Sequence, residues 1–359
     1  MKVFLQSIVL QLLFTPYIAW RGYGALPTNK GIRLGYLLLF ALELALFFVG
    51  YIFHDSLPDS VFIPLMMVCN TWYISSIYLA MGLLALELFR LSKRKKQWIY
   101  PLLVAGVAGL MVKAYWNVAD PIVRTETIHL NKGGNSGRDS LRIVLMTDQH
   151  IGEVVGKELV QQMVSLSNAQ KPDIVLLGGD LIDYESRFAE DAHIEEDLRQ
   201  LQAPLGVYGV LGNHEYRANR FAKLRWFEKT GMCLLVDSVV QPDSSFYLIG
   251  RDDRTNKRRS ALHPLVSTLD RSKPLIVLDH QPMAFAETAM NKIDLALHGH
   301  THGGQLWPNT LVVQFAFEHA YGLYKKGETQ FFISCGIGCA GPPYRIGTRS
   351  ELVVLNVVF

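Results

Sequence analysis

The sequence predicts an α/β protein in which an N-terminal bundle of about four transmembrane helices precedes a globular domain. Of its 359 residues, 50% are hydrophobic, which is high for a soluble enzyme. Near residue 120 a nearly continuous apolar region gives way to a mixed sequence, in which short apolar runs alternate with helical patterns. We therefore divide the chain into a transmembrane domain (1–118), a linker (119–139) and a globular domain (140–359).

Four apolar stretches precede this change, and each approaches or exceeds the roughly 18 to 20 residues that a helix needs to cross a bilayer. They are residues 3–20, 31–53, 61–89 and 99–116. The first stretch ends in Tyr17, Trp20 and Arg21 rather than in a small-residue cleavage pattern, and further spans follow it, so we interpret it as a retained span and not as a cleaved signal peptide. The fourth is the weakest, because it is short and contains Lys113.

The orientation follows from the Lys and Arg residues of the short loops, which favour the cytoplasmic side. The densest basic run, residues 90–96, lies between the third and fourth spans, and we expect it in the cytoplasm. The loop between the second and third spans has neither Lys nor Arg. If all four spans cross an inner membrane, the C-terminal domain is extracytoplasmic, that is periplasmic, which is our expectation. A fourth span that only lies on the membrane surface would make it cytoplasmic.

Five short apolar runs in the C-terminal domain each precede a polar cluster. The runs are 141–146, 174–177, 207–211, 275–278 and 293–297, and helical patterns at 157–169 and 191–201 separate some of them. Such runs are typical of buried strands, and ligands gather at the carboxyl ends of strands in α/β folds. The clusters are Asp148-Gln149-His150, Gly179-Asp180, Gly212-Asn213-His214-Glu215, Asp279-His280 and His298-Gly299-His300-Thr301-His302.

These clusters predict a metal centre. Six of the eleven histidines of the chain fall within them, and carboxylate, imidazole and amide donors suit manganese, iron or zinc better than calcium. A turn at the end of a strand can aim both side chains of an Asp-x-His or His-x-His pair at one place. One such cluster alone is more typical of a cap or a surface turn, but five in order favour a shared function.

The ordered set Asp-x-His, Gly-Asp, Gly-Asn-His, His and Gly-His-x-His resembles the calcineurin-like metallophosphoesterase family over residues 141–359. Within it, residues 300–305 and 336–345 resemble the membrane-anchored bacterial phosphodiesterase branch. The resemblance implies a β-sandwich flanked by helices, an αββα arrangement, and two divalent metal ions. We expect Mn²⁺, with iron or zinc as alternatives.

The resemblance also implies a role for each matching residue. One metal would be held by Asp148, His150 and His302, the other by Asn213, His280 and His300, with Asp180 bridging both. A hydroxide shared by two such ions attacks phosphorus in line with the leaving oxygen. We expect His214 to contact the substrate and protonate the leaving group. Arg345 would bind a substrate phosphate or, alternatively, hold its loop through a salt bridge.

Three functions remain open at this point. The leading one is a membrane-anchored phosphoesterase that hydrolyses a phosphodiester or pyrophosphate bond, and we expect a lipid-linked envelope substrate. The second is a pyrophosphatase of the UDP-2,3-diacylglucosamine type in lipid A synthesis, against which stand the outward topology and His214, where typical enzymes of that kind carry Arg. The third is a non-catalytic phosphate-sensing membrane module, although none of the expected ligands is missing.

The charge of the chain gives little indication of partners beyond these. The net charge of +3 and the absence of a long basic tract argue against nucleic acid, so the expected partners are the lipid bilayer and a phosphorylated substrate. The charged segment 251–259 could contact an anionic head group or simply be solvated. The spacing of Cys335 and Cys339 leaves open both a local disulfide and two free thiols.

Overall fold

The computed structural model describes residues 2–53, 56–89, 93–130, 132 and 138–359, and for residues 2–6, 51 and 93–96 it describes the backbone alone. The chain forms two compact units, Met1–Ala114 and Tyr115–Phe359. Part of the predicted cytoplasmic basic run, residues 90–92, lies outside the described residues. We describe each unit by itself.

The first unit is helical. Its helices are α1 (Lys2–Tyr23), α2 (Lys30–Ile52), α3 (Asp59–Glu87) and most of α4 (Lys93–Ala119). Within the described residues, three helical segments are long and apolar enough to cross a membrane: Lys30–Gly50, Asp59–Glu87 and Gln97–Ala119. These segments indicate membrane association, and α1, which contains the first predicted span, is not among them. The fourth predicted span is longer than expected, since its apolar part alone has 23 residues.

The second unit contains two mixed β-sheets of six strands each. The first sheet has the order β1-β12-β2-β3-β4-β5, and the second has the order β10-β11-β9-β8-β7-β6. The strands are β1 (Ile122–His129), β2 (Ser140–Met146), β3 (Ile174–Leu177), β4 (Val207–Gly209), β5 (Cys233–Leu234), β6 (Ser238–Val240), β7 (Tyr247–Gly250), β8 (Leu275–Leu278), β9 (Leu295–His298), β10 (Gly322–Lys326), β11 (Thr329–Ile333) and β12 (Glu351–Val358). The helices are α5 (Lys157–Ala169), α6 (Arg187–Asp191), α7 (Ile194–Leu198), α8 (Arg220–Lys229), α9 (Leu262–Val266), α10 (Phe285–Met290) and α11 (Asn309–Ala316).

The two sheets pack face to face, and helices cover their outer faces. Ile143 of the first sheet and Ile276 and Leu297 of the second belong to one buried cluster between the sheets. A second cluster joins the first sheet to α5, α7 and α8, where Trp226 is fully buried. A third joins the second sheet to α9 and α10 through residues such as Phe285. The expected αββα arrangement is confirmed.

Two local expectations differ from the structure. Residues 122–129 were expected in a linker, but they form β1, which pairs with β12 along its whole length, so the folded second unit begins earlier than predicted. The helix expected at 191–201 is shorter, since only α7 (Ile194–Leu198) forms within it, and His193 directly before α7 has a φ of 52°. A left-handed residue cannot continue a right-handed helix.

The topology brings the ends of several strands together. Strands β2, β3 and β4 are parallel neighbours in the first sheet, and β8 and β9 are parallel neighbours in the second. Parallel neighbours end at the same edge of their sheet, which is where ligands of α/β folds collect. The five polar clusters follow these five strands.

Candidate metal centre

Three of the predicted ligands form one tight group, which we call the first half-site: Asp148, His150 and His302. One donor atom from each lies within 4.8 Å of the others, and all three residues are buried. The Nε2 atoms of His150 and His302 are 3.1 Å apart, and His302 Nε2 is 3.4 Å from Asp148 Oδ1. This group of carboxylate and imidazole donors can hold a metal ion.

The second half-site consists of Asn213, His280 and His300. His280 and His300 group with the Asp180 carboxylate within 4.8 Å, and the Asn213 side-chain oxygen is buried without a hydrogen-bond partner. A buried amide oxygen left unpaired is costly, and a cation at this place would satisfy it. The residues therefore fit a second divalent ion.

Asp180 lies between the two half-sites. Its Oδ2 atom is 3.2 Å from His280 Nε2 on one side and 3.8 Å from His150 Nε2 on the other. One carboxylate oxygen thus faces imidazoles from both groups. This position agrees with the bridging role that the family resemblance implied.

The backbone at the strand ends aims these side chains. Five of the candidate ligands have a left-handed backbone: Asp148, His150, Asp180, His300 and His302, with φ between 50° and 73°. Residues other than glycine rarely adopt this conformation, and it costs about 1–3 kcal/mol each. Gly212 and Gly299 allow the close approach, since a Cβ atom would overlap Asp180 at the first and Asp148 at the second.

Asp183 supports the first half-site and was not among the residues predicted from the sequence. Its Oδ1 atom lies 3.0 Å from His150 Nδ1 and 2.9 Å from His214 Nδ1. A carboxylate at Nδ1 fixes the ring orientation and the tautomer, so that Nε2 is available for a metal or a substrate. The available signal was its position, three residues after Asp180 in Gly-Asp-Leu-Ile-Asp.

Glu215 is a second residue whose importance the sequence did not reveal. Its buried carboxyl group accepts hydrogen bonds from the backbone N–H groups of Gly212, Asp180 and Ile182, at 2.6 to 3.0 Å. Burial and the neighbouring Asp180 charge raise the pKa of this group. Glu215 therefore ties the loop after β3 to the loop after β4, and each loop carries a candidate ligand.

The electrostatics of the centre suit cations. Burial alone would raise the pKa of the Asp180 carboxyl, but the neighbouring histidines, His280 above all, hold it well below its usual range. Burial and the positive charge of His280 lower the pKa of His300 to about 4. The ionised Asp180 and the neutral His300 have the protonation states that metal binding requires, whereas His280, whose pKa the Asp180 charge raises against the effect of burial, would lose its proton on binding an ion.

Comparison with known proteins agrees with this geometry. The sequence profile described as Calcineurin-like phosphoesterase matches residues 141–304. A Bos taurus protein named as a transmembrane protein with metallophosphoesterase domain is 32% identical, over 80% of this chain and 70% of its own. The chain belongs to the calcineurin-like metallophosphoesterase family.

Two further relatives differ in how much of their length they share with this metallophosphoesterase. A Helicobacter pylori metallophosphoesterase (strain ATCC 700392 / 26695) is 27% identical over 98% of this chain and 97% of its own length, so the similarity includes the helical N-terminal unit. A Caenorhabditis elegans metallophosphoesterase is 32% identical over 73% of this chain. The chain spans only 58% of that relative.

The structure does not place Arg345 where it could bind a substrate phosphate. Its guanidinium group is fully buried and donates to the main-chain oxygens of Cys335, Gly336, Gly338 and His302, at 2.7 to 3.2 Å. No carboxylate in the described residues pairs with it, so the alternative salt bridge is also wrong. Arg345 instead holds the C-terminal loop against the loop of a candidate metal ligand.

The structure also locates His298 and the cysteine pair, and none of these three residues is a candidate metal ligand. His298 is a core residue, since its Nδ1 atom is 2.6 Å from the Asp279 main-chain oxygen and its ring stacks on Phe331. Cys335 and Cys339 are buried free thiols, which decides between the two alternatives for the pair. Burial raises the pKa of each thiol to about 12, so both are in the neutral form.

The charged segment 251–259 lines a cavity of about 660 Å³ in the same unit. Arg259 in its wall pairs with Asp279. Gln281, which follows His280 in the chain, also lines the cavity and donates to Asp253 at 2.9 and 3.0 Å. Arg254 and Lys257 line the cavity as well and are exposed. The segment therefore presents cationic side chains to a cavity whose wall includes the residue next to His280 of the second half-site.

Proposed function

We propose that this protein is a membrane-anchored phosphoesterase that uses two divalent metal ions to hydrolyse a phosphodiester or pyrophosphate bond. The observation that supports this proposal most strongly is that imidazoles of both half-sites face the same Asp180 carboxylate. Family membership makes a phosphoester the reasonable substrate class. Membrane association favours a substrate presented at a lipid surface, such as a lipid-linked phosphodiester of the envelope.

The first half-site would hold one ion and the second half-site the other, with Asp180 shared between them. We propose Mn²⁺, because the mixed set of carboxylate, amide and imidazole donors suits an ion of intermediate hardness. When bound, two such ions supply an activated water nucleophile and neutralise charge on the phosphoryl oxygens.

His214 is the group that we propose to protonate the leaving oxygen. Its Nδ1 atom faces the Asp183 carboxylate and main-chain oxygen at 2.9 and 2.7 Å. Its Nε2 atom points toward the centre, 3.9 Å from Asp180 Oδ2. The ring is therefore held at one nitrogen, while the other can deliver a proton.

Hydrolysis of bis(4-nitrophenyl) phosphate by the purified full chain with added Mn²⁺ tests this proposal. We expect turnover that a chelator abolishes and that Mn²⁺ restores. The Asp180→Ala variant should lose it, whereas Asp270→Ala, at an exposed Asp outside the centre, should retain it. Wild-type turnover no higher than that of Asp180→Ala would contradict an enzymatic function.

We further propose that the second unit, Tyr115–Phe359, which contains the metal centre and which we call the catalytic unit, lies outside the cytoplasm. Two observations support this orientation: the basic run at 90–96 directly precedes the apolar part of α4, Gln97–Ala119, and this apolar part is long enough to cross. A reporter enzyme that is active only outside the cytoplasm, fused after Phe359, should be active. Activity of a cytoplasmic reporter alone would refute this orientation and would revive a cytoplasmic precursor, such as the lipid A intermediate, as substrate.

A further inference from the structure

Helix α11 presents an apolar face to the surroundings of the catalytic unit. Leu311 is 48% exposed, Val312 58% and Phe315 91%, and none of the residues of Asn309–Ala316 is buried. Residues advance by about 100° per position around a helix. The three side chains therefore fall within one arc of about 100° and form a single outward face.

The helix that forms this face carries no charge, and the first charged residue after it, Glu318, is paired with Lys326 at 2.8 Å. The segment from Asn309 to Phe317 contains no Asp, Glu, Lys or Arg. Burying it against an apolar phase therefore removes no ion from water, a step that would be costly. A large side chain as exposed as Phe315, beside two further apolar residues, marks an interaction surface.

Two hydrogen bonds link the segment just before α11 to the end of the last apolar span, Gln97–Ala119. Asn117, near the end of that span, donates from Nδ2 to the main-chain oxygen of Arg345 at 2.9 Å. The next residue, Ile346, accepts a hydrogen bond from the N–H of Trp307 at 2.8 Å. Trp307 lies two residues before α11. The helix thus starts beside the point where the chain leaves the span.

The other end of α11 reaches the metal centre. Phe317, the residue after the helix, packs edge-to-face against the ring of His300, with 6.0 Å between ring centroids. His300 is a candidate ligand of the second half-site. One short helix therefore connects the end of an apolar span with the candidate active site.

We propose that the face of α11 formed by Leu311, Val312 and Phe315 inserts into the interface of the membrane that anchors the chain. Tyr115 and Trp116 at the end of the span are exposed, and Tyr and Trp are the residues that concentrate at the level of lipid head groups. The proposal places the apolar face of α11 at that same level. Interfacial helices bury such a face about 5–10 Å into the boundary between head groups and acyl chains.

Insertion of α11 would hold the metal centre at the head-group layer. A phosphoester at that depth would reach the centre without leaving the membrane, which favours a lipid head group over a soluble nucleotide. The contact itself rests on membrane association and not on the proposed hydrolysis. A depth measurement that requires no turnover therefore tests it separately.

The experiment uses the full chain in lipid nanodiscs of phosphatidylethanolamine and phosphatidylglycerol. A fluorescent label is placed at Val312→Cys in a Cys233→Ser background, since the other three cysteines are buried. The matched control carries the label at Phe221→Cys on α8, where the native side chain is 76% exposed. Lipids brominated near the top of the acyl chain should quench the label at 312 about twofold or more and leave the label at 221 unchanged, while aqueous iodide should quench only the label at 221.

Adding Phe315→Asp to the chain labelled at 312 should reduce quenching by the brominated lipids, because a charge opposes insertion, without changing thermal unfolding. Two results would overturn the proposal. Quenching of the label at 312 by iodide and not by lipid would show that the face is in water. Protection from both quenchers would show that protein covers it, either this chain or a second copy.

Discussion

The two half-sites of the metal centre orient their histidines by different means. In the first, His150 Nδ1 lies 3.0 Å from the Asp183 carboxylate. In the second, His280 Nδ1 lies 2.9 Å from the main-chain oxygen of Gly178. A carboxylate hydrogen-bonded to one ring nitrogen makes the other nitrogen more basic than a neutral carbonyl does, and therefore a better ligand for a metal ion. We therefore expect the first half-site to bind its ion more tightly.

The first half-site also differs from the second because one carboxylate, that of Asp183, contacts both a candidate metal ligand and the candidate acid. Asp183 contacts His150, a candidate ligand, and His214, the candidate acid. The second half-site has no matching arrangement among the described residues, because the ring of His280 contacts only main-chain oxygen at Nδ1. Changes in the first half-site should therefore affect metal binding and proton transfer together, and changes in the second should affect metal binding alone.

Removal of one ligand from each half-site should have the largest effect. His302→Ala and His300→Ala should each lower turnover of an aryl phosphodiester about a thousandfold or more, since each ion contributes several kcal/mol to transition-state stabilisation. Metal analysis should find that each variant retains the ion of the other half-site. If each variant lost both ions to the same extent, the division of the centre into two half-sites that bind their ions separately would be contradicted.

Loss of the candidate acid should have the next largest effect. His214→Gln should lower the turnover of a diester with an alkyl leaving group about a hundredfold or more. The effect should be smaller with 4-nitrophenol, which leaves without a proton, and metal content should not change. A metal content that falls together with turnover would instead make His214 a ligand.

Weakening the support of the first half-site should have an intermediate effect. Asp183→Asn keeps the shape of the side chain but removes its charge, and we expect metal affinity of the first half-site to fall about 10- to 100-fold. Metal content measured against chelator concentration checks this, with Asp270→Asn as the matched surface control. An unchanged titration would show that Asp183 does not support the metal site.

The smallest effect is expected from reduction. Because Cys335 and Cys339 are free thiols, a reducing agent should change neither turnover nor the unfolding temperature. Alkylation of the unfolded chain under non-reducing conditions, followed by mass analysis, should modify all four cysteines. Protection of this pair until reduction would reveal a disulfide.

The parts of the fold that the sequence predicted are those with a strong local signal. The five strands before the ligand clusters are short apolar runs, and α5 has the predicted bounds because its apolar residues recur on one face. The first strand, β1, lacked such a signal, since only Ile128 of its eight residues is buried. Its place at the sheet edge is determined by pairing with β12, more than 200 residues away.

The candidate ligands could be predicted because each follows an apolar strand in a distinctive cluster. Asp183 and Glu215 could not, since their roles depend on loops that come together only in the folded chain. Arg345 was interpreted wrongly for a related reason. A sequence shows a cation in a glycine-rich loop, but it does not show that the main-chain oxygens around that cation bury it.

Elemental analysis of the purified full chain during stepwise chelation tests the central claim most directly. We predict about two Mn²⁺ ions per chain after loading, with the ion of the second half-site lost first. Asp180→Ala should bind fewer ions at every chelator concentration, because both half-sites share that carboxylate. Fewer than about one ion per wild-type chain under saturating metal would contradict a two-metal phosphoesterase.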